Sequence, residues 1–554
     1  MNQSCFAIRC RTNREGMVLI IVTVVVAMVS LSALGFLVSM RSENLAAHLQ
    51  ADQLQVDTIN ASALEMAIEF SRLSRTERKK LINDESNAFR DVLVDWEPFG
   101  DRHGRFSILV PTYEPDRADA LFRFGLQSTS AKLSLSQLLL WDAKFPGHAR
   151  IALMNLPGMT EAIADSILDW IDNDDEPREF GAESEFYVGL DPPRQPPNEV
   201  PQHLSGLLAV RGITEFQLLG NPNGMQFVEN DENENQLSSI DPSRASSMQS
   251  QEPWQVLGQP WSYYLTTYSA ERNENVHGAR RIDLNQDSLG KLYARLSRDF
   301  TSEVANFVVA VRKHGPAEVA IDQATSTPVP TQSASGTASF TFESSLDIID
   351  MVVEVKNPNA RSNKSTDKNS KAYQSPFKTS DPASLTQLVR FLDRTFVGED
   401  APVTGRIDVL TAPRPVMLSI PQLSPALVDE IIAARESEAR EENETRVHAS
   451  WLLAEGFVDL PTFRQLVPYI TVGGDVFEAQ TVAYYDVQSP WSRAELMVNG
   501  STEVPNTLYY RDLSRLGRGF RLSDLMLPTT ETALPTSPTT GTARPTRPTF
   551  STDR

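Results

Sequence analysis

The chain is almost without cysteine. Among its 554 residues there are two, Cys5 and Cys10, both ahead of the first long apolar run. This excludes a disulfide framework or a cysteine-based zinc site in the body of the chain. Histidine is nearly as scarce, with seven residues scattered from His48 to His448 and no pair at zinc-protease spacing. There is no Gly-x-Ser-x-Gly nucleophile elbow and no P-loop, and Gly517-Arg518-Gly519 lacks the third glycine of a dinucleotide fingerprint. This inventory predicts a protein that is not an enzyme. Positive charge is also in deficit: 51 Lys and Arg against 72 Asp and Glu give a net charge of −21. Such a surface repels phosphate backbones and argues against nucleic acid as the main partner, while leaving room for a metal cation or a basic protein.

What the chain does have is one long uncharged run. Residues 17–40, MVLIIVTVVVAMVSLSALGFLVSM, carry no charge, and a helix of that length crosses a hydrocarbon core of about 30 Å. Arg9, Arg11 and Arg14 precede it against one acid, Glu15. That bias predicts a single membrane pass, with the short N-terminus in the cytoplasm and everything after Met40 outside. The run is longer than the apolar core of a secretory signal, and no small-residue cleavage site closes it.

Past the membrane the helix is expected to continue to about residue 73, on the order of 80 Å in all. Leu45, Leu49, Leu54, Ile59, Leu64, Ile68 and Leu73 are read as its apolar stripe. Strand-like runs follow at residues 89–96, 105–111 and 121–126, and strand composition returns at 476–485, 494–498 and 508–510. Between them the pattern turns helical. Leu156-Pro157-Gly158-Met159-Thr160, Val210-Arg211-Gly212-Ile213-Thr214 and Ile420-Pro421-Gln422-Leu423-Ser424 each place a turn and a Ser/Thr cap before an amphipathic stretch, the pattern of helix-hairpin-helix units. A lead-in recurs as Lys132-Leu133-Ser134-Leu135, Arg281-Ile282-Asp283-Leu284 and Arg406-Ile407-Asp408-Val409. Residues 221–252, 315–339 and 356–384 read as linkers or long loops, residues 340–355 as one or two strands, and the tail from 528 is mostly Thr and Pro.

One segment stands out chemically. Residues 169–187 hold eight acids, Asp169, Asp172, Asp174, Asp175, Glu176, Glu179, Glu183 and Glu185, against one base, Arg178. Carboxylates so crowded repel one another unless a cation offsets them. Counted from Asp172, acids fall at positions 1, 3, 5 and 12, and hard oxygen ligands suit calcium. Pro177 stands where an EF-hand needs glycine, so the loop is not an EF-hand. Asp172, Asp174 and Glu183 are expected as ligands, with Asp169, Asp175, Glu176 and Glu185 as further ligands or supporting groups. The alternative is a solvated acidic helix end.

These features together resemble the minor pseudopilin K family of type II secretion systems. Arg14-Glu15-Gly16-Met17 opening the apolar run resembles a prepilin leader. The resemblance implies cleavage by a prepilin peptidase after Gly16 and methylation of Met17. The glutamate that most pilins carry at the fifth mature position is Ile21 here, a substitution typical of protein K. The segment from Leu156 to Gly212, with L-P-G-M-T-E-A-I-A-D-S-I-L-D-W-I-D-N-D-D-E-P-R and G-A-E-S-E-F-Y, carries most of the likeness. It implies an inserted α-domain with bound calcium. The family's acidic turn is replaced by Ser128-Thr129-Ser130-Ala131-Lys132, which leaves no carboxylate ligand in that turn.

The expected fold is α+β: a transmembrane and pilin spine helix packed on a small antiparallel sheet, with inserted α-helical domains of helix-hairpin-helix or SAM-like type. The expected divisions are a leader (1–16), spine (17–73), pilin-like strands (74–133), α-domain (134–220), an insertion with linkers and an extra helical unit (221–404), a second helix-hairpin-helix unit (405–470), returning strands (471–524) and a tail (525–554). The resemblance implies a structural subunit that caps and nucleates a pseudopilus tip for export across the outer membrane, with the minor pseudopilins I and J as partners. The competing reading is a membrane-anchored DNA-binding protein, since helix-hairpin-helix turns can hold phosphates. The hairpins at Gly158-Met159-Thr160 and Gln422-Leu423-Ser424 lack the second glycine of that motif, and their surroundings are acidic.

Overall fold

The computed structural model of the chain describes residues 15–84, 87–96, 103–111, 122–220, 259–320, 323–331, 336–356, 370–436, 446–485 and 490–527. Residues 1–14 of the expected leader, the side chains of Gly16 and Met17, the 221–252 linker and the tail from 528 lie outside the described residues.

The chain opens with one helix, Glu15–Arg72, of 58 residues, about 87 Å at 1.5 Å per residue. Its first half is exposed and apolar, long enough to span a membrane by length and composition. Its second half packs on a sheet through Val56, Ile59, Ala63, Ala67 and Phe70, a three-and-four spacing that makes one face. The expected stripe was drawn too low. Leu45, Leu49 and Leu54 are exposed and Leu64, Ile68 and Leu73 half-buried, because the first buried apolar residue of the helix's sheet-facing side is Val56. Small Ala63 and Ala67 let the backbone approach the sheet closely. A short helix, Arg75–Asp84, follows where strands were expected to begin.

The sheet is antiparallel, built from β1 (Val92–Trp96), β2 (His103–Pro111), β3 (Phe122–Phe124), β4 (Gln127–Ser128), β5 (Val476–Tyr485), β6 (Ser492–Asn499) and β7 (Asn506–Asp512). Its order is β1-β2-β5-β6-β7, with β3 on β2 and β4 on β5. Alternation sorts its side chains to two faces. Phe106, Ile108, Ala483 and Tyr485 meet the spine helix, while Leu109, Val482 and Tyr484 meet Phe520 and Leu525 on the other side. Everything from residue 129 to 475 is inserted between β4 and β5, whose residues Ser128 and Phe477 are paired neighbours.

Among its described residues the insertion forms a head of three helical units, each closed by a clasp of two parallel strands two residues long. The recurring lead-in supplies the first strand each time. Leu133–Ser134 pairs with Leu265–Thr266, Ile282–Asp283 with Thr395–Phe396, and Ile407–Asp408 with Ile470–Thr471. Inside each unit a hairpin leads to a capped helix: Glu161–Ile171, Ser302–His314 and Pro425–Glu436. Thr160, Thr301 and Ser424 accept the backbone N–H three residues on, satisfying an orphan donor in each. The first and third units share more. Gly158 and Gln422 both adopt left-handed φ at the hairpin, and His203-Leu204-Ser205-Gly206-Leu207-Leu208-Ala209 matches His448-Ala449-Ser450-Trp451-Leu452-Leu453-Ala454. In both, the histidine Nδ1 accepts from the backbone N–H of the serine two residues on.

Two linker expectations are corrected. Residues 370–374 form a strand on Val352–Lys356 and Pro382–Arg394 is a helix, with Leu388 and Phe391 buried. Within 315–339, Pro316 and Thr325 bridge to that strand pair and Val329 is buried. Polar composition concealed these because a few apolar residues suffice when a neighbouring unit supplies the rest of the core. Between 340 and 355 there is one strand and a 3₁₀ turn, Ser345–Ile348.

Candidate metal centre

Helix Glu161–Ile171 begins at a Thr160 cap and ends at Asp172. Asp165, Asp169 and Asp172, spaced by four and three, share one face of it. Asp165 and Asp169 have no solvent exposure, and Asp172 is nearly buried. The chain then turns through Pro177 and Gly181 and brings Glu183, also buried, back over the helix end. Ligand oxygens of Asp169, Asp172 and Glu183 lie within 4.8 Å of one another.

One guanidinium stands in the cluster. Arg178 Nη1 donates to Asp169 Oδ1 at 2.8 Å and to Asp172 Oδ2, and the Arg178 backbone N–H also faces Asp169. Even so, Asp172 Oδ1 and both oxygens of Glu183 are buried with no hydrogen-bond partner. Burial, with the nearby charges of Asp169, Asp172, Asp175 and Asp174, pushes Glu183 up to about 7. Burial also raises Asp169 and Asp172, despite Arg178. Orphaned carboxylate oxygens are costly, and a hard cation is the ligand that satisfies several at once. The residues present therefore fit calcium.

The other acids are placed differently. Asp174 Oδ1 accepts from the Glu176 N–H at 2.9 Å, a local turn on an exposed side chain. Asp175 Oδ1 accepts from Ser184 Oγ at 2.7 Å. Glu176 and Glu185 are exposed. The structure thus leaves Asp174 and Glu176, which the EF-hand-like count from Asp172 brought in, outside the cluster of Asp169, Asp172 and Glu183, because the acids that converge come from a helix face and a returning loop. Sequence reasoning gave Arg178 no role. A Cβ on Gly181 would fall 1.8 Å from Asp169 Oδ2, so only glycine lets the loop close. A lone base among eight acids was the available signal for Arg178. Asp165 is taken up by Arg150, with two bonds at 2.7 and 2.6 Å, and by the Phe180 N–H.

The hairpin and this loop fall in a stretch shared with known proteins. A family model described as type II secretion system (T2SS), protein K, matches residues 137–219. That stretch is similar to the family; the rest of the chain lies outside the match. It is 39% identical over 101 residues to an Escherichia coli K12 protein described as a type II secretion system protein K. The match covers 18% of this chain and 30% of that relative's length. A chain of the crystal structure of the GspK-GspI-GspJ complex from the enterotoxigenic Escherichia coli type 2 secretion system is similar as well. It has 11% identity and a TM-score of 0.28, over 85% of this chain and 98% of that one. A score that low says nothing about how one unit sits on another.

Proposed function

We propose that the protein is a structural, non-catalytic minor pseudopilin of a type II secretion system that caps and nucleates the pseudopilus tip. The observation that carries this reading is the division of one 58-residue helix into an exposed apolar half and a half packed on an antiparallel sheet. The family-matched unit is inserted between β4 and β5. Spine helices pack side by side in a filament, and a head with three inserted units is too bulky to repeat along a thin fibre. Ile21 offers no carboxylate to the amine of a subunit ahead, as suits a leading position. In this reading the prepilin peptidase cuts between Gly16 and Met17, Met17 is methylated, the spine sits in the inner membrane and the head lies in the periplasm. The partners are minor pseudopilins of the I and J types, and Asp169, Asp172 and Glu183 hold a structural calcium.

Two measurements test the reading. Mass spectrometry of the mature N-terminus should find a methylated chain starting at Met17, and Gly16→Ala should block its formation. Tagged protein should co-purify with the other minor pseudopilins and label one fibre end. Label along the whole fibre, or a native chain that keeps residues 1–16, would sink the proposal. Retention of the head on DNA at low salt would favour the DNA-binding alternative.

A further inference from the structure

The spine–sheet body and the head have separate hydrophobic cores. The first is built from residues between Val56 and Leu126 and between Phe477 and Val498. The second is built from residues between Leu133 and Val472. Among the described residues none belongs to both, and the apolar contact near their boundary is small: Ala270, Val476 and Met497 with their neighbours. What fills the joint is charge. Asp475, just before β5, pairs with Arg78 and with Arg272, whose backbone N–H also donates to it at 2.7 Å. Glu271 pairs with Arg75 at 3.4 Å and Arg406 at 2.9 Å, and accepts from Thr471. Arg78 also donates to the carbonyls of Gly474 and Ser71 at 3.0 and 3.2 Å, and Arg272 to those of Ser71 and Leu73 at 3.2 and 2.9 Å.

These residues come from the places where the chain passes between bodies. Arg75 and Arg78 lie just after the spine, Glu271 and Arg272 between the first and second units, Arg406 at the third lead-in, and Thr471 and Asp475 at the third exit. The first lead-in does the same with Lys132, which pairs with Glu478 on β5.

We propose that this cluster is a charge-locked joint, which makes the head move with the membrane spine although the two bodies have independent cores. A polar interface between separate cores ordinarily permits relative motion. Here multiple bonds on each buried carboxylate hold one arrangement, because breaking any pair leaves an uncompensated buried ion. The purpose assigned to the lock, carrying a displacement of the spine into the head, rests on the proposed filament role; its existence does not, and it is tested without a filament.

The test is hydrogen exchange by mass spectrometry on the full chain in detergent, comparing the unmutated protein with Asp475→Asn and Glu271→Gln. Exchange in peptides covering residues 267–281 and 471–475 should rise at least tenfold, with amides inside Glu161–Ile171 and Val482–Tyr485 unchanged. A rise in both cores together would show a single cooperative body and overturn the proposal, as would no rise at the joint. Arg75→Lys keeps the charge but cannot bridge Glu271 and the Val472 carbonyl as a guanidinium does. It should give a smaller rise in the same peptides, and no rise there would also overturn the lock.

Discussion

The first and third helical units carry the same ion pair in two environments. Arg150–Asp165 and Arg414–Asp429 are each 15 residues apart, each doubly bonded, and each ties the helix before the hairpin to the helix after it. In the first unit the aspartate has no exposure and also accepts the Phe180 N–H. In the third both partners are about half exposed. The helix ends differ as well. Arg435 closes the third unit's helix by donating to the Val409 and Ala412 carbonyls. The first unit ends its helix at Asp172 and surrounds that end with carboxylates. One local motif thus has two energetic weights, and burial sets which.

The largest expected effect comes from breaking the buried copy. Asp165→Ala leaves Arg150 and the Phe180 N–H without their acceptor. It should cost about 3 kcal/mol, the lower end for a broken buried pair because Arg150 is partly exposed. The shift of the denaturant midpoint in the soluble head measures it, and a change within error would mean that burial does not decide the pair's weight.

Next is the acidic end of the same unit. A cation that binds only the folded form adds about 2.7 kcal/mol at a hundred times its dissociation constant. The unmutated head should melt lower in chelator and recover with calcium better than with magnesium. Asp169→Asn with Glu183→Gln should remove the difference, and Asp174→Ala should leave it. Arg178→Gln should lower the ion-free melting temperature and widen the calcium increment, since it removes the one cation the chain itself supplies. Melting that ignores millimolar calcium would reduce the cluster to a strained acidic turn.

A comparable effect should follow acid at the joint, where burial is again combined with pairing. Burial alone would raise Asp475, but Arg78, Arg75 and Arg272 outweigh it and hold the carboxyl down to about 2. The folded state binds this proton more weakly than the unfolded chain. Its stabilisation is therefore complete above pH 3.8 and lost as pH falls from there through about 2, on the order of 2 kcal/mol. Unfolding followed between pH 5 and pH 2 should show a loss in that window that Asp475→Asn lacks.

The smallest effect belongs to the exposed copy. Asp429→Ala should leave the melting temperature within the scatter of the measurement, because water already solvates both partners. A loss as large as that of Asp165→Ala would erase the distinction between the two units.

Much of the fold was legible because periodicity and punctuation are local. Residues 17–40 announced a spanning helix, the Ser/Thr caps marked the helices at residues 161, 215 and 425, and the three lead-ins marked the clasps. The packing of the spine was misplaced. The expected stripe ran from Leu45 to Leu73 and caught only Ile59 among the buried residues, whereas the sheet meets the helix from Val56 and prefers small side chains at Ala63 and Ala67. In the acidic loop the sequence supplied the carboxylates but not their directions. Asp174 turned to its own backbone, a choice open to any exposed aspartate, and Glu183 folded inward because Gly181 allowed the approach.

By itself, then, the sequence determined the elements whose causes lie within a few residues: the apolar run, the capped helices, the lead-ins and the crowding of acids. Only the tertiary structure decided which acids converge, that Arg178 sits among them, that one Arg–Asp pair is buried and its counterpart exposed, and that Glu271 and Asp475 meet arginines from distant segments. The physical reason is that charge carries a weight set by its solvent. A carboxylate costs little in water and several kcal/mol when buried alone, and burial is a property of segments brought together from hundreds of residues apart.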